Sequence, residues 1–186
     1  CVRTNSRILH MRETKKFLMA FMGPVGSGKS YIAKIFAKKL KAILMRTDDI
    51  RIQLREHKKP YTSAPRIAAR LRDQALAQDK SVIMDFDAVL PRRQKELAAT
   101  ARRYSAYFFL IRIDTPEPLI LQRLRAKHYT KKELFKNAEE ATRVYHIRKK
   151  LHTKQLQTCP NFVINNAKPP TLQIQQIIKK IKDLYR

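Results

Sequence analysis

At 186 residues, with 44% hydrophobic and 30% charged side chains, the chain is long enough for one domain with a real core. Its 41 lysines and arginines against 15 acidic residues give a formal charge of +26, which predicts attraction to polyanions, including nucleic acid; the plain alternative is basic side chains solvating the surface. No apolar run approaches the roughly 20 residues of a membrane span, and two cysteines, Cys1 and Cys159, exclude a disulfide framework and lack metal-site spacing, so a reducing, cytoplasmic location is expected.

Residues 1–16 carry Arg3, Arg7, Arg12, Lys15 and Lys16 with only Glu13 acidic, and read as a basic, loosely ordered leader without the apolar centre of a secretory signal. The domain proper is expected over 17–186. Phe17 to Met22 is a continuous apolar run, as a strand buried on both faces requires. From Lys29, the residues Ile32, Ile35, Phe36 and Leu40 follow helical spacing with lysines between them. Ala42 to Met45 reads as a second strand, and a short helix follows from about Asp49 to Glu56. Pro65 opens a helix through Ala77. Ser81 to Asp85 is a third strand, and Pro91 starts a helix to about Tyr104. Tyr107 to Ile113 is a fourth strand, with Asp114-Thr115-Pro116-Glu117 as a helix start. A basic, helical, lid-like segment spans about 127–157. Phe162 to Asn165 forms a fifth strand, and Ile174, Ile177, Ile178, Ile181 and Leu184 line one face of a closing helix. Strands alternating with helices predict an α/β fold of three layers, a five-stranded parallel sheet covered on both faces.

The chain has only three glycines, and all fall in one window, Gly23-Pro24-Val25-Gly26-Ser27-Gly28-Lys29-Ser30. Gly23, Gly28, Lys29 and Ser30 occupy the fixed positions of the phosphate-binding pattern G-x-x-x-x-G-K-[ST]. A strand before the loop and a helix after it complete the device. Loop N–H groups and the helix N-terminus, including the turn through Tyr31, present positive charge to a triphosphate. Lys29 adds a full charge at the β- and γ-phosphates, and the Ser30 hydroxyl is a Mg²⁺ ligand.

Ligands in such sheets sit beyond the carboxyl ends of the strands. Asp48, after the second strand, can take a proton from an acceptor hydroxyl or merely cap the next helix, and Arg51 one turn on can grip an acceptor phosphate. Asp85 ends the third strand where a carboxylate would help hold Mg²⁺, with Asp87 as its rival. Arg92 and Arg93 open the next helix, where they could touch substrate but are expected to be mainly solvated. Of Arg123 and Arg125, about 200° apart on a helix, only one can face the site, and Arg123 is the choice. Arg143 and Arg148 read first as basic surface, or as parts of a cover.

The motifs G-P-V-G-S-G-K-S, T-D-D-I-R, V-I-M-D and Gln122-Arg123-Leu124 together resemble the small P-loop kinases grouped as AAA_33-type ATP-binding proteins, a wider group that includes polynucleotide kinase domains and zeta-toxin-like kinases. The resemblance covers about residues 17–185. It implies ATP and Mg²⁺ as cofactors, Asp48 as general base, Arg51 as the residue that orients the acceptor, Arg123 as a lid arginine, and Asn165-Asn166 beside adenine. Two positions depart from the group: Lys127 stands where a second arginine is usual, and Phe86 follows the third-strand aspartate. The expected function is phosphoryl transfer from Mg-ATP to a hydroxyl-bearing acceptor, which the charge would allow to be a nucleic-acid 5′-hydroxyl, a nucleotide or a small metabolite. The alternative is a nucleic-acid binder that uses ATP as a ligand or switch.

Overall fold

The computed structural model describes residues 16–130, 133–154 and 160–184. Its strands are β1 (Phe17–Met22), β2 (Ile43–Arg46), β3 (Val82–Asp87), β4 (Tyr107–Asp114) and β5 (Phe162–Asn165). All pair in parallel, in the order β2-β3-β1-β4-β5. The helices are α1 (Lys29–Leu40), α2 (Thr47–Glu56), α3 (Ala64–Ala77), α4 (Pro91–Arg103), α5 (Glu117–Ala126), α6 (Ala138–Lys154) and α7 (Thr171–Asp183), with a 3₁₀ turn at Tyr61–Ser63 before α3. The expected three-layer α/β architecture is therefore the observed one. No helix of the described residues is long and apolar enough to cross a membrane.

Strand parity builds two cores from one sheet. Side chains alternate faces along a strand. In β1, Phe17, Met19 and Phe21 point to the face covered by α1 and α7, where they meet Ile32, Phe36, Ile174, Ile177 and Ile181. Leu18, Ala20 and Met22 point to the other face, against Leu76 of α3 and Leu97 and Ala101 of α4. A central strand buried on both sides explains why its sequence is apolar throughout. A smaller cluster of Ile120, Leu124, Ala141 and Tyr145 ties α5 to α6 over the strand ends.

Several boundaries differ from the sequence expectation, β3 running on to Asp87 among them, and three of the differences have a local reason. Helix α2 begins at Thr47, so Asp48 lies in its first turn rather than at the end of β2. Thr47 is buried, and Asp48 and Asp49 place negative charge at the positive end of the helix. Helix α6 begins only at Ala138, because Asn137 caps it: Asn137 Oδ1 accepts from Glu140 N at 2.9 Å, and the Glu140 carboxylate accepts from Lys136 N at 2.7 Å. Lys16, assigned to the leader by its charge, is buried, donating to Leu76 O at 2.9 Å and Asp79 Oδ1 at 2.7 Å. The rest of that leader, and residues 155–157 of the basic segment, lie outside the described residues.

The third strand carries the irregularity that shapes the site. Its pairing with β1 runs in step from Leu18↔Val82 to Ala20↔Met84 and then jumps to Phe21↔Asp87, leaving Asp85 and Phe86 unmatched on that side. On its other edge Asp85 stays in register with Arg46 of β2. Bulges of this kind re-aim side chains at strand ends.

Candidate functional site

The glycine-bearing loop joins the central strand to α1. Ser27 N donates to Pro24 O at 3.2 Å, closing the turn, and Ser27 itself is fully buried. Gly28 sits at the helix N-cap with φ 94°, and a Cβ there would lie 2.5 Å from Asn166 Nδ2. A Cβ on Gly23 would lie 2.9 Å from Ile113 O. Val25 packs on the Ile120–Leu124 cluster, and Gly26 faces the same two side chains. Tyr31 is largely exposed, and its N–H lies in the first turn of α1.

Two side chains hold the loop from outside it, a role the sequence did not indicate for either. Thr115 Oγ1 and Asn166 Nδ2 both donate to Ser27 O, at 2.9 and 2.7 Å. Of the asparagine pair, Asn166 is the buried one against the loop. Asn165 is exposed, and its backbone exchanges hydrogen bonds with the Gln173 side chain, each 2.9 Å.

The chemistry-bearing residues converge around this loop. Lys29 Nζ donates to Gly23 O at 2.5 Å and Pro24 O at 2.8 Å. Burial pulls its pKa below the ordinary 10.5, opposed by the negative charges of Asp87, Asp85 and Asp48. Ser30 Oγ donates to Asp85 Oδ1 at 3.1 Å, and Arg46 Nε donates to Asp85 Oδ2 at 3.1 Å. Asp87 is drawn in as well. It accepts from Gly23 N at 3.3 Å and pairs with Arg148 Nη2 at 3.1 Å. His152 Nε2 lies 3.0 Å from the same carboxylate, without the alignment of a geometric hydrogen bond. Burial pushes the Asp87 carboxyl up, but His152, Lys29 and Arg148 outweigh it and hold the group below its ordinary 3.8. Asp85 and Asp87, which the sequence presented as rivals, thus take different places, one at the Ser30 hydroxyl and one at the loop backbone.

Arg123 is half-buried and Arg125 exposed, as the helical spacing expects. Arg123 Nη2 donates to Asn166 O at 3.1 Å, while its Nη1 is buried without a partner, 3.7 Å from the Gly28 Cβ position. Arg51 Nη1 donates to Asp48 Oδ1 at 2.7 Å, and the Asp48 side chain is 44% exposed. Arg92 is exposed, as expected, and so is Arg143. Arg148, by contrast, is part of the site through Asp87.

Two cavities open here. One of about 430 Å³ lies beside Gly23 and Pro24, walled by Thr115, Tyr145, His152 and Asn165. The other, of about 210 Å³, lies between α2, α3, the end of β3 and α4, with Arg51, Arg72, Phe86, Asp87 and Arg93 in its walls. Among the described residues no group of three or more His, Cys, Asp and Glu could hold a metal ion by itself. A cation here would need ligand oxygens in addition to Ser30 and Asp85.

Comparison with known proteins places this arrangement. No curated protein sequence matches the chain. In fold it is similar to a gluconokinase from Sinorhizobium meliloti 1021, with a TM-score of 0.60 at 15% identity over 91% of this chain and 93% of that one. An APS kinase from Mycobacterium tuberculosis, solved with AMPPNP and APS, aligns at 0.58 and 15% identity over 90% and 98%. A shikimate kinase from Aquifex aeolicus aligns at 0.53 and 18% identity over 89% and 96%. The shared feature is the fold of small P-loop kinases. The AAA_33 family, described as an AAA domain, matches residues 18–152, and with most of the sheet and the whole loop inside that match the chain belongs to it.

Proposed function

We propose that the protein is an ATP-dependent kinase that moves the γ-phosphoryl group of Mg-ATP to a hydroxyl on a second substrate. The observation that carries this reading is the unpartnered, buried Nη1 of Arg123 beside Gly28. A buried guanidinium N–H without an acceptor is costly, and here it adjoins a helix N-terminus and Lys29, the place a phosphate oxygen would fill. The kinase folds above, one of them solved with AMPPNP and APS, support the same assignment.

In this reading the N–H groups from Gly23 to Tyr31 cradle the phosphates, and Lys29 leaves the Gly23 and Pro24 carbonyls to bind the β- and γ-oxygens. Asn165 lies at the mouth of the larger cavity, on the side for the nucleoside. The residues present fit Mg²⁺: Ser30 Oγ and Asp85 Oδ1, 3.1 Å apart, would hold it. When bound, the ion offsets charge on the phosphates. Asp48, within electrostatic reach of Lys29, takes the acceptor's proton, and Arg51 fixes both that carboxylate and the acceptor. Arg123 stabilises the moving phosphoryl, and α6 covers the reaction from above with Arg148.

The test is transfer from γ-labelled ATP to a panel of hydroxyl acceptors, beside calorimetric binding of AMPPNP. Acceptor-dependent transfer that Asp48→Asn abolishes while AMPPNP binding stays supports the reading. Tight nucleotide binding with only acceptor-independent hydrolysis, unchanged in Asp48→Asn, refutes it.

A further inference from the structure

We infer that the smaller cavity takes a compact anionic acceptor, its phosphate or carboxylate held by Arg93 and Arg72 and its body laid against Phe86. This rests on the kinase reading for the acceptor's fate, but not for the anion site itself.

The wall composition is lopsided: four arginines, Arg51, Arg72, Arg93 and Arg148, against one carboxylate, Asp87. Arg148 and Arg51 already serve Asp87 and Asp48 on the side toward the loop. Arg72 and Arg93 stand on the outer helices. Arg72 is buried, which an arginine accepts only when its charge is matched. Its Nε donates to Asp73 Oδ1 at 2.7 Å, and its Nη1 lies 3.8 Å from Glu96. Arg93 Nη1 donates to Glu96 Oε2 at 2.9 Å. Glu96 thus touches both guanidinium groups from outside the cavity wall and fixes their orientation.

Phe86 gives the pocket its shape. Strand alternation puts this residue on the same face as Met84, in the cavity wall, and the Arg93 guanidinium lies 5.7 Å from its ring centre. The stacking fixes Arg93 and presents a flat apolar surface next to a fixed cation. Planar guanidinium groups suit phosphate and carboxylate alike. At about 210 Å³, against about 430 Å³ for its neighbour, the space matches a small metabolite better than a polymer end. It is closed at the back by Ala68 and Met84.

The experiment titrates matched neutral and anionic probes into the wild-type protein saturated with AMPPNP, so that the phosphate loop is not the binding site. The pairs are glycerol with glycerol 3-phosphate, glucose with glucose 6-phosphate, and glucose with gluconate. We expect at least one anionic member to bind tenfold or more tightly than its neutral partner. Phosphate and carboxylate arms separate the two anion sources. Arg93→Gln should weaken that binding tenfold or more, Arg93→Lys less, and Phe86→Ala should loosen it while leaving AMPPNP binding unchanged; a thermal melt checks that each variant folds. Equal affinity within every pair, or Arg93→Gln binding like wild type, overturns the inference. So does phosphorylation of a 5′-hydroxyl oligonucleotide that depends on Arg93 while no small anion binds. If the anion binds as expected and no phosphoryl group is transferred to any acceptor, the kinase reading falls and the anion site stands.

Discussion

Replacing Gly28 by alanine probes the joint between the phosphate loop, α1 and the end of β5. Gly28 holds φ at 94°, where an alanine costs about 1–2 kcal/mol. Its new Cβ would stand 2.5 Å from Asn166 Nδ2, closer than two such atoms can approach. Asn166 is buried and its Nδ2 donates to Ser27 O at 2.7 Å, so it cannot yield freely. Moving it breaks a hydrogen bond and leaves a buried donor unmatched, a further penalty of about 1–3 kcal/mol. The expected total is about 3 kcal/mol, or a melting point lower by roughly 6–12 °C for a domain of this size. Urea unfolding of Gly28→Ala, Asn166→Ala and the double variant separates the terms. With Asn166 cut back, Gly28→Ala should cost only the backbone term, giving a coupling of about 1–2 kcal/mol. The same cost in both backgrounds, or a cost under about 0.5 kcal/mol, would refute the steric reasoning.

Other outcomes follow from the same geometry. Lys29→Met should remove most of the calorimetric signal for AMPPNP and keep the fold. Asp48→Asn should lower kcat by about 10²–10⁴-fold with little change in nucleotide binding, measured by steady-state kinetics on whichever acceptor is turned over. Arg123→Ala should lower kcat more than it raises the KM for ATP, since its charge is aimed at the phosphoryl in flight. Asp87 gives a pH signature. Its folded pKa lies below 3.8, so the unfolded chain binds the proton more readily, and the stability it confers is complete above that value and lost as pH falls through the folded one. Denaturant titrations from pH 7 to pH 3 should show a shallower acid loss in Asp87→Asn than in wild type.

Much of this was legible from residues alone, for physical reasons that can be named. The short apolar run of β1, bounded by charge and glycine, fits a strand buried on both faces, and the glycine-lysine-serine pattern leaves little freedom in the loop that follows. The two aspartates of β3 were another matter. Regular alternation puts Asp85 and Asp87 on one face, and nothing in the sequence announces that the pairing with β1 skips two residues and sends them to different partners. Thr115 and Asn166 were invisible as loop supports because both act on one carbonyl, Ser27 O, across long sequence separations. The late start of α6 did have a signal: Asn137 with Glu140 three residues on is a helix-start pattern, masked by the basic run around it. Arg72 carried no signal in the sequence, and only packing shows it to be interior.

Helix α6 contributes Arg148 to one chamber and Tyr145, Lys149 and His152 to the other. If that helix moves as one rod, it couples the occupancies of the two. A guest that tilts the rod on entering one chamber alters the dimensions of its neighbour, and thermodynamic reciprocity then demands that each guest change the other's affinity by the same factor.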